Sequence, residues 1–210
     1  MARPPQDPQN RINEILDAAD QLFFTKGYQA TTISDIAKKI GVAQGMLYYY
    51  FKSKEELLET LLNRYATYLV SKIEDINLLP NTPSEKIALT VSAALHSASY
   101  RDGLLLNMLY DDQILPIKVR LYHHLELALS PWLIKFIEAG ISTHDFHVLH
   151  LPTVVDYILV ILDFLVEALY QKTSDEVLSF RLNMAETLIE KALGSQEKTI
   201  HITLPRQAKI

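Results

Sequence analysis

Residues 31–58, TTISDIAKKIGVAQGMLYYYFKSKEELL, allow few folds. Thr32 is a good N-cap, and Asp35 three residues on completes a capping-box pattern. Ile33, Ile36, Ala37 and Ile40 recur at helical spacing, so one face of this helix is apolar. Gly41 follows the last apolar residue, at the C′ position where a left-handed backbone suits glycine. Val42 and Leu47 are placed to pack back onto the first helix, leaving Gln44, Met46, Tyr48, Tyr49 and Tyr50 around a second, very short one. Ser53 and Glu56 repeat the box and open a third helix. Helix, glycine turn, helix is the grammar of the helix-turn-helix, whose second helix enters the DNA major groove.

The preceding residues extend the pattern. Ile12, Ile15, Leu16, Ala19, Leu22 and Phe23 predict a helix over about 11–26, ended by Gly27, that covers the two short helices. Ile15 to Ala19, Leu22-Phe23, Gly27-Tyr28, Thr31 to Ile33, Ile36-Ala37, Gly41-Val42, Gly45, Leu47-Tyr48, Tyr50-Phe51, Lys54 and Leu57-Leu58 stand in order over the first third of the chain. On these positions the chain resembles TetR-type transcriptional regulators. The resemblance implies an all-α fold: an N-terminal three-helix helix-turn-helix DNA-binding domain, then a C-terminal helical ligand-binding and dimerisation domain. The expected bounds are 9–69 for the DNA-binding domain, 70–194 for the helical body and 195–210 for a tail.

Charge first argues against DNA and then for it. The net charge is −5 over 210 residues, but Lys26, Lys38, Lys39, Lys52 and Lys54 face one acid, Asp35, between 26 and 54. That window carries +4 and the rest −9, which suits a protein touching phosphates with one end only. Residues 1–10 read as a disordered arm, either a solvated tail or, through Arg3, a minor-groove contact.

Gln44 is the best base-reading candidate, since glutamine pairs with adenine N6 and N7. Gly45 lets the backbone approach the duplex. The family places a phosphate contact at Tyr48. Lys54, at the start of the fourth helix, and Thr32, at the start of the second, are read as phosphate contacts. Ser34, Met46, Tyr49 and Lys52 complete the candidate face. Core packing competes for Tyr49 and Tyr50, and a merely solvated face for Lys38 and Lys39. Two positions depart from the family. Ala43 removes a capping side chain from the reader helix, and Met46 replaces a residue that is commonly small.

A long helix over Glu55–Asn77 is predicted to link reader to body. Helices follow over Ser84–Tyr100 with Ser84 as cap, over Leu104–Tyr110, and over Pro116–Ala139, the last bent near Pro131 and ended by Gly140. Residues 153–172 are apolar on nearly every face, and a last helix runs to Leu193. Two adjacent helices with surplus apolar surface suit a four-helix homodimer interface, with Leu159, Leu162, Leu165, Val166, Leu182, Leu188 and Ile189 as candidates. The tail alternates at Ile200, Ile202 and Leu204 but reads as disordered.

His144, His147 and His150 beside Asp145 invite a metal reading. On a helix this spacing drifts by about 60° per step, so the ligands would not converge, and packing or solvated histidines are preferred. No metal or other cofactor is expected. With no cysteine there is no disulfide framework. The opening MARPPQDPQN is not a signal peptide. The longest run free of Asp, Glu, Lys and Arg, 87–100, is 14 residues, too short to span a membrane. A cytoplasmic protein is expected.

Ligand candidates are polar or aromatic residues on apolar helices: Tyr65, Tyr100, Asn107, Tyr110, Tyr122, His123, Trp132 and Tyr157. They suggest a small apolar or amphipathic ligand. The expected function is a ligand-responsive repressor binding a near-palindromic double-stranded operator as a homodimer. The alternative is a regulator or activator controlled by a protein partner or a metal. No G-x-S-x-G, phosphate loop or H-E-x-x-H supports an enzyme.

Overall fold

The computed structural model describes residues 7–99 and 115–205, with backbone only at 115–118 and 120–122. Among these residues there are eight helices and no strand: α1 (Pro8–Lys26), α2 (Ile33–Ile40), α3 (Gln44–Tyr50), α4 (Lys54–Leu78), α5 (Pro83–Ala98), α6 (Leu115–Ser142), α7 (Leu151–Tyr170) and α8 (Asp175–Leu193). The chain divides into two compact units, Met1–Tyr65 and Ala66–Ile210. Arg3, the turn at 101–103, the helix expected at Leu104–Tyr110, and the side chain of Tyr122 lie outside the described residues.

The first unit is built by apolar phase. Ile15, Leu16, Ala19 and Phe23 of α1 close over Ile36 and Ala37 of α2, Leu47 of α3, and Leu57, Leu58 and Leu61 of α4, all buried. No helix of seven or eight residues holds itself together, so α2 and α3 depend on this shared core. Residues 8–10, read as part of a disordered arm, are helical. Asp7 accepts from the Gln9 N–H at 3.0 Å and caps α1, with Pro8 in the first turn.

In the second unit α5 packs against α6 and α7, α6 against α7, and α7 against α8. The cap of α5 is Thr82, not Ser84. Thr82 and Glu85 form a reciprocal capping box, and Pro83 starts the helix. Gly140 does not end α6, which continues to Ser142 with Pro131 inside it. Its carbonyl accepts the N–H groups of Asp145 (2.9 Å) and Phe146 (3.1 Å), folding the following turn back on the helix.

The tail is a correction. Ile200 and Ile202 are buried while His201 and Thr203 between and after them are exposed. The alternation is that of a strand, but side chains accept the amides. Glu190, itself buried, takes the N–H groups of Thr199 (2.8 Å) and Ile200 (3.0 Å). Glu186 takes that of Ile202 (2.8 Å), and the Ser92 hydroxyl on α5 takes that of Thr203 (2.9 Å). Apolar burial and satisfied amides together offset the entropy of ordering the segment.

Candidate nucleic-acid interface

The two short helices are positioned by their ends. The Thr32 hydroxyl accepts from the Asp35 N–H at 3.1 Å, and Asp35 accepts from the Thr32 N–H at 2.9 Å and its hydroxyl at 2.8 Å. Asp35 also receives the Lys26 ammonium at 2.6 Å. These bonds, led by the one from Lys26, hold the Asp35 carboxyl far below the usual carboxylate range. Gly41 takes a left-handed conformation (φ 70°), its N–H reaching the carbonyls of Ala37 and Lys38. Ala43 gives α3 no side-chain cap, as its methyl group dictates. Glu56 accepts from the Lys52 N–H at 2.6 Å while its own N–H reaches the Ser53 hydroxyl at 3.1 Å. The second box is therefore present, displaced by one residue.

On α3 only Leu47 is buried. Gln44, Gly45, Met46, Tyr48 and Tyr49 form a continuous exposed surface, with Tyr49 83% exposed. Tyr50 is half-buried and meets Tyr49 edge to face at 5.0 Å. A β-carbon added at Gly45 would meet nothing within 4 Å. The protein's own packing therefore does not explain a glycine there. Lys38, Lys39 and Lys52 are exposed, and Ser34 is half-buried.

Two phosphate candidates have other work. The Thr32 hydroxyl is engaged as both donor and acceptor in its capping box. The Lys54 ammonium donates to the carbonyls of Tyr28 (2.9 Å), Thr31 (3.1 Å) and Gln29 (3.4 Å), and lies 4.2 Å from the centre of the Tyr28 ring. Three donors meet three carbonyls, so a phosphate would have to displace one of them. Burial pushes this ammonium below the ordinary lysine value, against the pull of Glu55. Burial together with Glu55 raises the Tyr28 phenol well above its usual range. Nothing local in the sequence signals the cluster, because the carbonyls lie 23 to 26 residues before the lysine.

Four of the eight ligand candidates have described side chains. Tyr65 belongs to the first unit and donates to the buried Asp20. His123 is exposed, 3.8 Å from Glu126, and Tyr157 is exposed on α7. Trp132 is half-buried beside Phe136. Tyr100, Asn107 and Tyr110 lie outside the described residues. Ile87, Val91 and Leu95 on α5 and Leu129, Leu133 and Ile137 on α6 are buried in the second unit. The buried hydroxyls of Thr90 and Ser92 donate to their own helix backbone.

The expected dimer contacts also need correction. Leu162, Leu165, Val166 and Ile189 are buried within their own chain, and Leu159 and Leu182 are half-buried. Of the set, only Leu188 is exposed. The outward apolar stripe is Tyr157, Val160 and Phe164 on α7 with Val177, Phe180, Met184 and Leu188 on α8. The steps of three and four residues were readable, but an all-apolar helix does not reveal which of its faces is inward.

Among the histidines, the His147 N–H donates to the Leu193 carbonyl at 2.8 Å, and the His150 ring accepts at the start of α7 from the Thr153 N–H. His144 sits in a left-handed turn (φ 63°).

Residues 15–61 match the family model of bacterial regulatory proteins of the tetR family. Over these residues the chain is similar to the TetR family of transcriptional regulators. It is 31% identical over 109 residues to the HTH-type transcriptional repressor KstR2 of Mycolicibacterium smegmatis, covering 52% of each chain. It is 37% identical over 79 residues to the fatty acid metabolism regulator protein of Bacillus subtilis, covering 38% of this chain and 41% of that one. The match thus spans about half, or less, of these curated relatives. Among solved structures, the regulator FadR of Bacillus subtilis in complex with stearoyl-CoA superposes with a TM-score of 0.65 at 22% identity. That alignment covers 90% of this chain and 99% of FadR, and it shows a shared fold. No helix among the described residues is long and apolar enough to cross a membrane.

Proposed function

We propose that this protein is a cytoplasmic, homodimeric transcriptional repressor that releases its operator on binding a small apolar or amphipathic ligand, and that it has no catalytic role. The observation that carries the reading is the α3 surface. Gln44, Gly45, Met46, Tyr48 and Tyr49 are exposed together on a helix anchored by the buried Leu47 and flanked by the capped starts of α2 and α4. In this reading Gln44 and Met46 meet base edges, while Tyr48, Tyr49 and Lys52 meet phosphates with Lys38 and Lys39 near them. In the same reading Thr32 and Ser34, at the N-terminus of α2, stand beside the DNA backbone. Two copies joined through the α7–α8 stripe read two half-sites.

The ligand class to test first is a long-chain acyl thioester of coenzyme A. Support comes from the stearoyl-CoA in the FadR structure and from the apolar residues that α5 and α6 bury in the second unit. Such a ligand must favour a body shape that DNA does not, or no equilibrium shifts.

The test is fluorescence anisotropy on DNA from upstream of the protein's own gene, against scrambled DNA, at two salt concentrations, followed by titration with stearoyl-CoA. Selective binding at two chains per site, reversed by the thioester, supports the whole reading. Equal weak binding to both DNAs removes the operator. Selective binding that the thioester leaves unchanged removes the ligand class alone.

A further inference from the structure

Lys54 matches a family position read from sequence as a phosphate contact, yet its ammonium is the centre of a knot inside the first unit. Carbonyl oxygens of Tyr28, Gln29 and Thr31 surround it within 3.4 Å, and the Tyr28 ring covers a further side. The turn it grips carries bonds of its own. The buried Thr31 hydroxyl donates to the Gly27 carbonyl at 2.7 Å, and the Thr31 N–H donates to the Tyr28 carbonyl at 3.2 Å. The Tyr28 hydroxyl reaches Glu55, the residue after the lysine, at 3.4 Å. Thr31 directly precedes Thr32, the cap of α2.

From this geometry we infer that Lys54 is a positioning residue, which ties the first turn of α4 to the α1–α2 turn and so fixes the entry of α2 beneath the reader helix. The inference deepens the DNA-binding reading and rests on it for its functional consequence. An ammonium directs three donors to points around one centre. A guanidinium offers a flat fork, so arginine keeps the charge but not the grip. The exposed Lys52, two residues earlier, is the contrasting phosphate candidate.

The experiment compares Lys54→Met, Lys54→Arg and Lys52→Gln in the full chain, with two readouts. Hydrogen exchange of the free protein reports on residues 27–33, and the salt dependence of operator affinity reports on phosphate contacts. The clamp requires both Lys54 variants to exchange faster over 27–33 and to bind operator more weakly with an unchanged salt slope. Lys52→Gln should lower that slope by about one without altering exchange. The clamp is overturned if exchange over 27–33 is unchanged, or if Lys54→Met loses about one unit of slope while Lys54→Arg binds like the parent. If the parent shows no selective, salt-dependent binding, the regulator reading has failed, and exchange alone decides the clamp. Should Lys54→Met not fold, Lys54→Arg carries both readouts.

Discussion

The ring of Phe146 lies directly against the backbone of Gly140. A β-carbon added at Gly140 would sit 2.7 Å from Phe146 Cγ and nearer still to two other ring carbons. Phe146 is almost wholly buried, and the Gly140 carbonyl accepts its N–H. The glycine therefore serves close packing between α6 and the turn that follows. Gly140→Ala should cost about 1–3 kcal/mol through overpacking, and Phe146→Ala about 3–5 kcal/mol through the cavity it leaves. Urea unfolding of the two single variants checks this. An unchanged midpoint for Gly140→Ala would mean that the ring does not lie there.

Gly45 makes the opposite case. Alanine meets nothing at that position and is the better helix former, so Gly45→Ala should leave stability unchanged or raise it by up to about 1 kcal/mol. Operator affinity should fall, because the methyl group occupies the space the duplex needs. Full affinity in a stabilised variant would show that the backbone at 45 stands away from DNA.

The α7–α8 stripe separates association from folding. Val160 and Phe180 are 65% and 66% exposed, whereas Leu165 is fully buried. Val160→Glu or Phe180→Glu should yield folded monomers by sedimentation, with native helical content and lost operator affinity. Leu165→Glu should unfold the body, since it places an unpaired charge in the core. A stable dimer carrying glutamate at both 160 and 180 would sink the interface.

Acid should loosen the helix-turn-helix through Asp35. Its carboxyl titrates below the ordinary value because Lys26 and Thr32 bind the charged form. A depressed folded value stabilises the fold above the unfolded-state pKa, and that contribution is lost as pH falls through the folded value. The stability gap between the parent and Asp35→Asn should thus be full at neutral pH and narrow only below about pH 4. A gap that is constant down to pH 2.5 would assign the effect to shape instead of charge.

The C-terminal segment should behave as part of the body. Ending the chain after Gln196 removes two buried isoleucines and uncovers the buried Glu190, at an expected cost of about 2–4 kcal/mol once ordering entropy is deducted. Thermal unfolding of the shortened protein tests it, and an unchanged Tm would return 197–205 to the status of a loose tail.

What the sequence by itself determined is local and lies in the first unit. The Thr32–Asp35 box, the left-handed Gly41 and the apolar phases of α1, α2 and α4 all depend on neighbours within about one helical turn. A reader of the chain sees both members of each such pair, and spacing alone then implies a helix-turn-helix. The tertiary structure decided whatever joins distant segments. It turned Lys54 from the DNA face toward carbonyls 23 to 26 residues earlier, and it joined Thr203 to Ser92 across 111 residues. It also chose which side of α7 faces inward, taking Leu162, Leu165 and Val166 into the core and leaving Val160 and Phe164 outside. Burial is a property of what packs opposite, and a helix apolar all round records nothing about its neighbours.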